Sequence, residues 1–472
     1  MVDRQDALGL PLARPLDEAA VRELAVGLRG ELVRPEDDGY DKVRAVFNGM
    51  VDRRPALIVR CAGVADVVRG VEFARSHDLQ LSIRGGGHSV AGKAVCDGGL
   101  MLDLSSMKGI RVDQARRTAE AQAGLTLGEF DHETQEFGLA TTLGVVSVTG
   151  IAGLTLGGGL GWLNGKHSLA CDNLISADVV TADGRLLTAS KEENEDLFWG
   201  IRGGGGNFGV VTSFRYRLHP VGTVLGGGLS YPLSKAHEVL RFYHEFASRC
   251  PDELSTDASL GVTPDGSCVV VVSVCYCGPV EEGERVLRPL REFGSPLADN
   301  IQPMAYTTLQ SAPDAGFPPG RRHYWKSSYL KDLSDDAIEV MVRFVSEMPS
   351  PTTGVGLQQM HGAASRVDPT ATAFPHRDEH YDFLILSQWA DPEESERNVE
   401  WTRAFFDAMQ PFFEEGVYVN NLGDEGEDRV QAAYGVNYGR LSTLKEEYDP
   451  TNLFRLNQNI RPRAQPTSDV VS

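Results

Sequence analysis

Three consecutive glycines followed by a histidine, residues 85–88, come directly after the short alternating run 81–84. Glycines at the end of a strand leave backbone N–H groups uncovered and allow positive φ, so such a turn can surround an anion such as a diphosphate. A histidine at the edge of the turn would lie beside whatever the diphosphate carries. Taken alone, the run is more typical of a tight turn with an exposed histidine. The choice between an ordinary turn and an anion-binding turn therefore depends on the other motifs of the chain.

Two further glycine-rich stretches follow. Residues 144–163 alternate small and apolar residues, which favours backbone laid flat against a large planar ligand where side chains would collide. Gly204, Gly206 and Gly209 then match the dinucleotide spacing G-x-G-x-x-G. That fingerprint must follow a strand and open a helix, whereas here a predicted helix precedes it and a β-rich run follows. We therefore exclude a Rossmann site.

The elements of the first half must position these turns. Residues 55–83 predict a strand, a helix and a second strand that ends at the first glycine turn. Short strands separated by turns continue to about residue 218, which favours a mixed or antiparallel sheet beside that unit.

The second half of the chain has a different sequence pattern, in which long predicted strands alternate with amphipathic helices. This pattern predicts a sheet covered by helices on one face, and therefore an α+β chain. The predicted helices span residues 235–249, 281–293, 334–347 and 394–413. The length favours two domains that share a cleft. We expect domains at 1–218 (core about 50–218) and 219–425, and a segment, 426–472, that returns to the first domain.

Acidic residues outnumber basic ones, 66 to 45, which gives a net charge of −21. Such a surface repels nucleic acid and anionic lipid, so neither is an expected partner. No stretch is apolar enough to span a bilayer and no targeting segment is recognisable, which indicates a cytoplasmic protein. Seven cysteines in apolar contexts favour free thiols, and their spacing predicts no metal site.

Five motifs, taken in order, carry a resemblance to a known family. They are residues 84–89, 153–159, 178–184, 202–209, and the terminal stretch from Asn437-Tyr438 to residues 457–460. With them the chain resembles the berberine-bridge-enzyme-like branch of the flavin oxidases, which share the vanillyl-alcohol-oxidase (PCMH) type of FAD domain. The resemblance spans nearly the whole chain. It implies a PCMH-type FAD-binding domain and an α/β substrate domain whose antiparallel sheet is covered by helices.

The resemblance also implies how FAD is held. His88 stands where the family's histidine is bonded to the flavin 8α-methyl group, a link that makes the ring a stronger oxidant. Many relatives add a bond from a cysteine at a position where this chain has Gly144, Val145 and Val146, so a single link is expected. Cys171 lies too far along the chain and reads as a small buried residue.

The residues expected to contact FAD lie on the glycine-rich stretches and the returning tail. They are Arg84, Gly85, Gly86, Gly87, His88, Ser89, Gly92, Gly144, Val146, Ser147, Gly150, Gly153, Leu154, Gly157, Gly158, Gly159, Gly161, Asn207, Gly209, Val210, Val211, Asn437, Tyr438 and Asn459.

The chemistry that the resemblance implies is hydride transfer from a substrate C–H bond to flavin N5, with reoxidation by O₂ to hydrogen peroxide. The adjacent O–H or N–H must lose its proton, so a base is expected. The run 383–389 offers no carboxylate, which leaves Tyr418, Tyr434 and Tyr438 as candidates. Since an ordinary tyrosine has a pKa of roughly 10, a cation such as Lys326 would have to assist. For each of these tyrosines, a purely structural role as a core aromatic is at least as well supported as a role as the base. His376 is expected to have a structural role, in a loop ahead of the strand.

Three functions remain open from the sequence. The first is an FAD-dependent oxidase of an alcohol, an amine or a phenolic compound, in specialised metabolism. The second is a dehydrogenase of the same fold that uses an acceptor other than O₂. The third is a protein that sequesters flavin or ligand without turnover. The identity of the substrate and the oligomeric state are not encoded in any motif.

Overall fold

The first sheet is built from the strand, helix and strand predicted ahead of the first glycine turn. The computed structural model describes residues 16–263 and 265–463. The strand order is β1-β2-β4-β3, with β2 and β3 parallel to β4. The elements are α1 (Glu18–Gly27), β1 (Glu31–Val33), α2 (Tyr40–Arg44), β2 (Leu57–Arg60), α3 (Val64–Ser76), β3 (Leu81–Arg84) and β4 (Leu100–Asp103).

The second sheet is antiparallel, in the order β5-β6-β10-β8-β9, and the two-residue strands β7 and β11 pair separately. Its short strands alternate with turns, as the sequence predicts. The elements are β5 (Ile110–Asp113), β6 (Thr118–Gln122), α4 (Leu127–Gln135), β7 (Leu139–Ala140), α5 (Ile151–Leu156), α6 (Asn164–His167), β8 (Leu174–Val180), β9 (Leu186–Ser190), α7 (Glu195–Ile201), β10 (Val210–Arg217) and β11 (His219–Pro220).

The third sheet has eight antiparallel strands in the order β15-β12-β14-β13-β18-β19-β17, with β16 beside β12. Its strands are β12 (Thr223–Pro232), β13 (Leu254–Val262), β14 (Cys268–Tyr276), β15 (Ala298–Asp299), β16 (Gln302–Ala305), β17 (Arg322–Leu330), β18 (Gly354–Met360) and β19 (His380–Trp389). Its helices are α8 (Ala236–Ala247), α9 (Val280–Glu292), α10 (Tyr306–Ser311), α11 (Asp335–Ser346) and α12 (Ser395–Met409).

The two faces of the third sheet have different partners, because successive side chains of a strand point to opposite sides. One face supplies Val272, Leu357 and Phe383 to a core shared with the helices. The other face packs on the first half of the chain through three groups of contacts. These are Cys275 with Trp162 and Leu163, Met360 with Leu160, and Trp325 with Phe47 and Val90.

We call this second surface the inner face. Residues paired in register share a face, so its central row can be read across five strands. The row consists of Ser273, Asp257, Gln358, Asp382 and Tyr329. Gln358 and the neighbouring Leu384 and Leu386 are only half-buried, which indicates a cleft between the inner face and the first half of the chain.

The end of the chain packs on the core of the first half. Helices α13 (Glu427–Tyr434) and α14 (Tyr438–Tyr448) contribute Tyr434 and Leu441 to it, and Phe454 follows.

The domain bounds predicted from the sequence stay predictions. No helix within 16–263 or 265–463 is long and apolar enough to cross a membrane.

Candidate active site

The first glycine turn meets the second glycine-rich stretch backbone to backbone. A Cβ on Gly86 would lie 2.5 Å from the backbone nitrogen of Gly150, at the start of α5. The stretch 144–163, expected to lie flat, instead folds into turns and the short helix α5. Glycine is therefore required at both positions for the two segments to touch.

The surroundings of the first turn fit a diphosphate cofactor. No backbone N–H from Gly85 to Ala91 donates to a protein acceptor in the described part of the chain. Buried side-chain atoms without a hydrogen-bond partner include Nε2 of His88 and Oδ1 of Asn459. A Cβ at Gly153 or Gly206 would enter open space. Free donors, unpaired polar atoms and open glycine positions are the features that a bound FAD requires.

His88 is held in an aromatic stack. Its ring lies 3.9 Å from that of Phe47, nearly parallel, and the other face of Phe47 stacks on His323 at 4.3 Å. Burial lowers the pKa of His88 to about 4, so the imidazole is neutral at pH 7 and one nitrogen keeps a free lone pair.

The tail joins the third glycine stretch. Asn207 accepts a hydrogen bond from the Ile460 backbone (2.9 Å) and donates to the Gln458 carbonyl (3.1 Å). The N–H groups of Gly203 and Gly205 donate to Leu156 at the end of α5. A continuous path of contacts therefore links the tail, the third stretch, α5 and the first turn.

Some predicted FAD contacts use their side chains elsewhere. The Arg84 guanidinium pairs with the buried Asp103 carboxylate (Nε to Oδ1, 3.0 Å) and donates to Val43 and Ala45. The backbone N–H of Ser147 donates to Asp314 at 2.8 Å, and its hydroxyl also contacts that carboxylate. At these positions the side chains anchor the turns.

Asn437 and Tyr438 lie at the start of α14. The Asn437 amide donates to the carbonyls of Pro369 and Thr372, which anchors the loop before β19. Tyr438 is half-buried against the core of the first half.

The remaining predicted contacts lie on the same segments. Ser89 and Gly92 continue the first turn, Gly209, Val210 and Val211 lead into β10, and the second stretch supplies the rest, namely Gly144, Val146, Leu154, Gly157, Gly158, Gly159 and Gly161. Cys171 is buried at the end of this region, and burial raises the pKa of its thiol.

Replacing Gly86 by alanine tests the contact between the two turns. The added Cβ meets backbone that cannot move away. We therefore expect the free energy of unfolding to fall by about 1–3 kcal/mol and the protein to retain less FAD. Urea unfolding and the flavin content after gel filtration measure both. The control is Gly439→Ala, where a Cβ meets nothing within 4 Å on α14. A G86A protein as stable and as yellow as the wild type would contradict the argument.

Two of the three candidate tyrosines, Tyr418 and Tyr434, are buried and already hydrogen-bonded. The Tyr418 hydroxyl accepts from the backbone N–H groups of Gly159 (2.9 Å) and Leu160 (3.2 Å) and from the Asn420 amide (2.8 Å). Burial raises the pKa of Tyr418 to about 12. Burial also raises the pKa of Tyr434, whose hydroxyl donates to the Gln458 carbonyl.

Lys326 lies away from these tyrosines. Its ammonium pairs with Glu425 at 2.8 Å, near the ring of Phe406 on α12. It therefore points to the side of β17 opposite Trp325 and Ser327. The geometry gives no support to the expectation that Lys326 assists a tyrosine base.

The structure reveals a carboxyl group that the sequence reading missed. Strand β19 begins at His380, ahead of the run 383–389, and so includes Asp382. The Asp382 carboxyl accepts hydrogen bonds from the Ser327 hydroxyl (2.8 Å) and the Asn421 amide (2.5 Å) on the inner face. Burial raises its pKa to about 7, against the lowering effect of these two donors.

His380 lies two residues before Asp382 on the same face. Its ring is 4.0 Å from that of Tyr329, and its Nε2 is buried without a partner. Burial lowers its pKa to about 3, so it is neutral. The alternation of His380 and Asp382 along one strand was the signal available in the sequence.

His376 has the structural surroundings expected of it. Its Nε2 lies within 3.1 Å of the carbonyls of Ala432 and Ala433, which ties the loop before β19 to α13.

Comparison with known proteins shows the family of the chain. A family model described as an FAD binding domain matches residues 55–190, and one described as berberine and berberine like matches residues 417–461. An FAD-linked oxidoreductase of Dictyostelium discoideum is 34% identical over 447 residues, 94% of this chain and 97% of its own. The (R)-6-hydroxynicotine oxidase of Paenarthrobacter nicotinovorans is 31% identical, over 93% and 98% of the two chains.

Solved structures share the whole architecture. The 6-hydroxy-D-nicotine oxidase of Arthrobacter nicotinovorans superposes with a TM-score of 0.85 at 31% identity, over 92% of this chain and 98% of that one. A berberine bridge enzyme variant superposes with a TM-score of 0.86 at 21% identity, over 95% and 100%, and supports the fold alone. The expected α+β, PCMH-type fold is confirmed. The chain belongs to the berberine-bridge-enzyme-like family of FAD-linked oxidoreductases.

Proposed function

We propose that this oxidoreductase is an oxidase that removes a hydride from an alcohol, an amine or a phenolic small molecule bound in the cleft beneath the inner face. The observation that carries the proposal is Asp382, a buried carboxyl with no cationic partner among the described residues. When bound, FAD supplies the two-electron acceptor for this reaction and returns the electrons to O₂, which gives hydrogen peroxide.

Asp382 serves as the base in this proposal. Loss of a hydride from carbon leaves positive charge unless the neighbouring O–H or N–H gives up its proton. Ser327 and Asn421 fix the orientation of the carboxylate by donating to its two oxygens. Because burial opposes ionisation, its pKa lies at about 7, close to the value at which a base is both available and strong.

His88 holds the cofactor covalently in this proposal. A nitrogen can bond to carbon only with its lone pair free, and burial keeps this imidazole neutral. Phe47 fixes the plane of the ring by stacking on it. The link is single, since Gly144, Val145 and Val146 offer no thiol and the Cys171 thiol, whose pKa is raised by burial, lies beyond them.

The relatives support an oxidase. Their printed names include (R)-6-hydroxynicotine oxidase and, at 30% identity, chitooligosaccharide oxidase. These names describe different small molecules, so they favour the use of O₂ more strongly than any one substrate.

Anaerobic mixing with a panel of alcohols, amines and phenols tests the proposal. We expect at least one compound to bleach the flavin absorbance, and admission of air to restore it with one hydrogen peroxide per turnover. Recovery only with an added dye would make the protein a dehydrogenase. A flavin that no compound bleaches would favour a sequestering protein.

A further inference from the structure

A second carboxyl lies on the inner face, in the same row as Asp382. Asp257 on β13 is paired with Gln358 on β18, and Gln358 is paired with Asp382 on β19. Neighbouring strands lie about 4.8 Å apart, so the two aspartates are separated by roughly 10 Å along the inner face. The Asp257 side chain is half-buried. A molecule that touches both carboxyls must therefore lie along the row.

Asp257 has no charged partner. Its carboxyl forms no ion pair with any residue in 16–263 or 265–463. The inner-face positions of β12, β13, β14, β17, β18 and β19 hold no lysine or arginine. Burial raises the pKa of Asp257 to about 8, against the lowering effect of a hydrogen bond from the Gln359 backbone, and Asp382 adds a smaller upward contribution. The row thus contains two carboxyl groups and no lysine or arginine.

Other groups of this face also lack a partner. Tyr329, in register with Asp382, is 2% exposed, and its hydroxyl makes no hydrogen bond. Trp325, two rows away, is 8% exposed with an unpaired indole N–H. Most buried polar groups in proteins have a hydrogen-bond partner, so unpaired atoms that line the cleft are candidates for contact with a ligand. The indole also offers an aromatic surface of the kind that attracts organic cations.

We propose that the substrate is an organic cation whose charged nitrogen is held by Asp257, several bonds away from the carbon that is oxidised beside Asp382. This inference rests on the proposed function and assigns its substrate class. Pairing with a cation stabilises the ionised form of Asp257, whereas a neutral polyol leaves its pKa at about 8 and the carboxyl mostly protonated at pH 7. Asp257 is thus a specificity-determining residue, and Asp382 remains the base.

Matched pairs of compounds test the proposal. Each pair differs only in an ammonium group, for example tyramine against para-ethylphenol, and para-(aminomethyl)benzyl alcohol against para-methylbenzyl alcohol. Anaerobic bleaching of the flavin is followed in the holoenzyme, in Asp257→Asn and in the control Ser259→Ala on the same strand. We expect the ammonium members to react at lower concentration with wild type. D257N should raise their half-saturating concentration about tenfold or more and change the limiting rate far less.

A thermal measurement accompanies the kinetics. Asp257→Asn breaks no ion pair, so it should unfold at or above the wild-type temperature, and ammonium compounds should stabilise wild type more than D257N. Neutral members that react as well as their ammonium partners would overturn the cation assignment and leave the oxidase intact. An unchanged D257N would do the same. Failure of every compound to bleach the flavin would contradict the proposed function itself.

Discussion

Replacing Asp382 by asparagine should lower kcat/KM by about a hundred- to ten-thousand-fold, the usual contribution of a general base. Asparagine keeps the size of the side chain but cannot accept a proton. Its remaining carbonyl oxygen can still accept from the Asn421 amide, and its NH₂ group can donate to the Ser327 hydroxyl. Rapid-reaction measurement of flavin bleaching, with any substrate found in the panel, gives the rate. The melting temperature and the flavin spectrum show whether D382N still folds and binds FAD.

The pH dependence identifies the base independently. Asp382 accepts a proton only when ionised, and its pKa lies at about 7, so kcat/KM should rise with pH through about 7 and then level off. Asn421→Ala removes a donor that lowers this pKa and should move the rise to higher pH. A profile that still climbs toward pH 12, with activity kept in D382N, would instead support Tyr418.

Much of the fold follows from patterns along the sequence. The amphipathic periodicity predicts helices at 235–249, 281–293 and 334–347, which correspond to α8, α9 and α11. Strand β3 ends at the first glycine turn as predicted. These signals are local, because a buried helix face or a turn glycine is needed wherever the chain passes from one element to the next.

The chemistry of the cleft was harder to predict, because it depends on which residues of different strands share a face. The sequence predicts a tyrosine base and assistance from Lys326 from residue types alone, without knowledge of which side of a strand each side chain occupies. Lys326 and Trp325 are neighbours in the chain but lie on opposite sides of β17. Asp382 lies one residue before the apolar run 383–389, and only the start of β19 at His380 shows that it belongs to the same strand. Asp257 and Asp382 share a row through strand pairing that links residues 125 positions apart, and no sequence window contains both.

His88→Ala should abolish the covalent attachment of FAD. The wild-type protein, precipitated in acid, should stay yellow and have an intact mass higher by one FAD, whereas H88A should precipitate colourless with the mass of the polypeptide. FAD that H88A retains without the bond should also have a lower reduction potential, because the link withdraws electrons from the ring. Mass spectrometry of the acid-denatured protein and of the peptide that contains His88 measures the attachment directly.

His323→Ala is the matched control, because His323 stacks on the opposite face of Phe47 and both of its ring nitrogens are buried without a partner. Burial lowers the pKa of His323 to about 3, so its imidazole is neutral like that of His88. The two histidines differ in place: His88 belongs to the glycine turn whose N–H groups are free, and His323 belongs to β17. We therefore expect H323A to keep its colour through acid. Pigment retained by H88A, or lost equally from both variants, would contradict a single bond at His88.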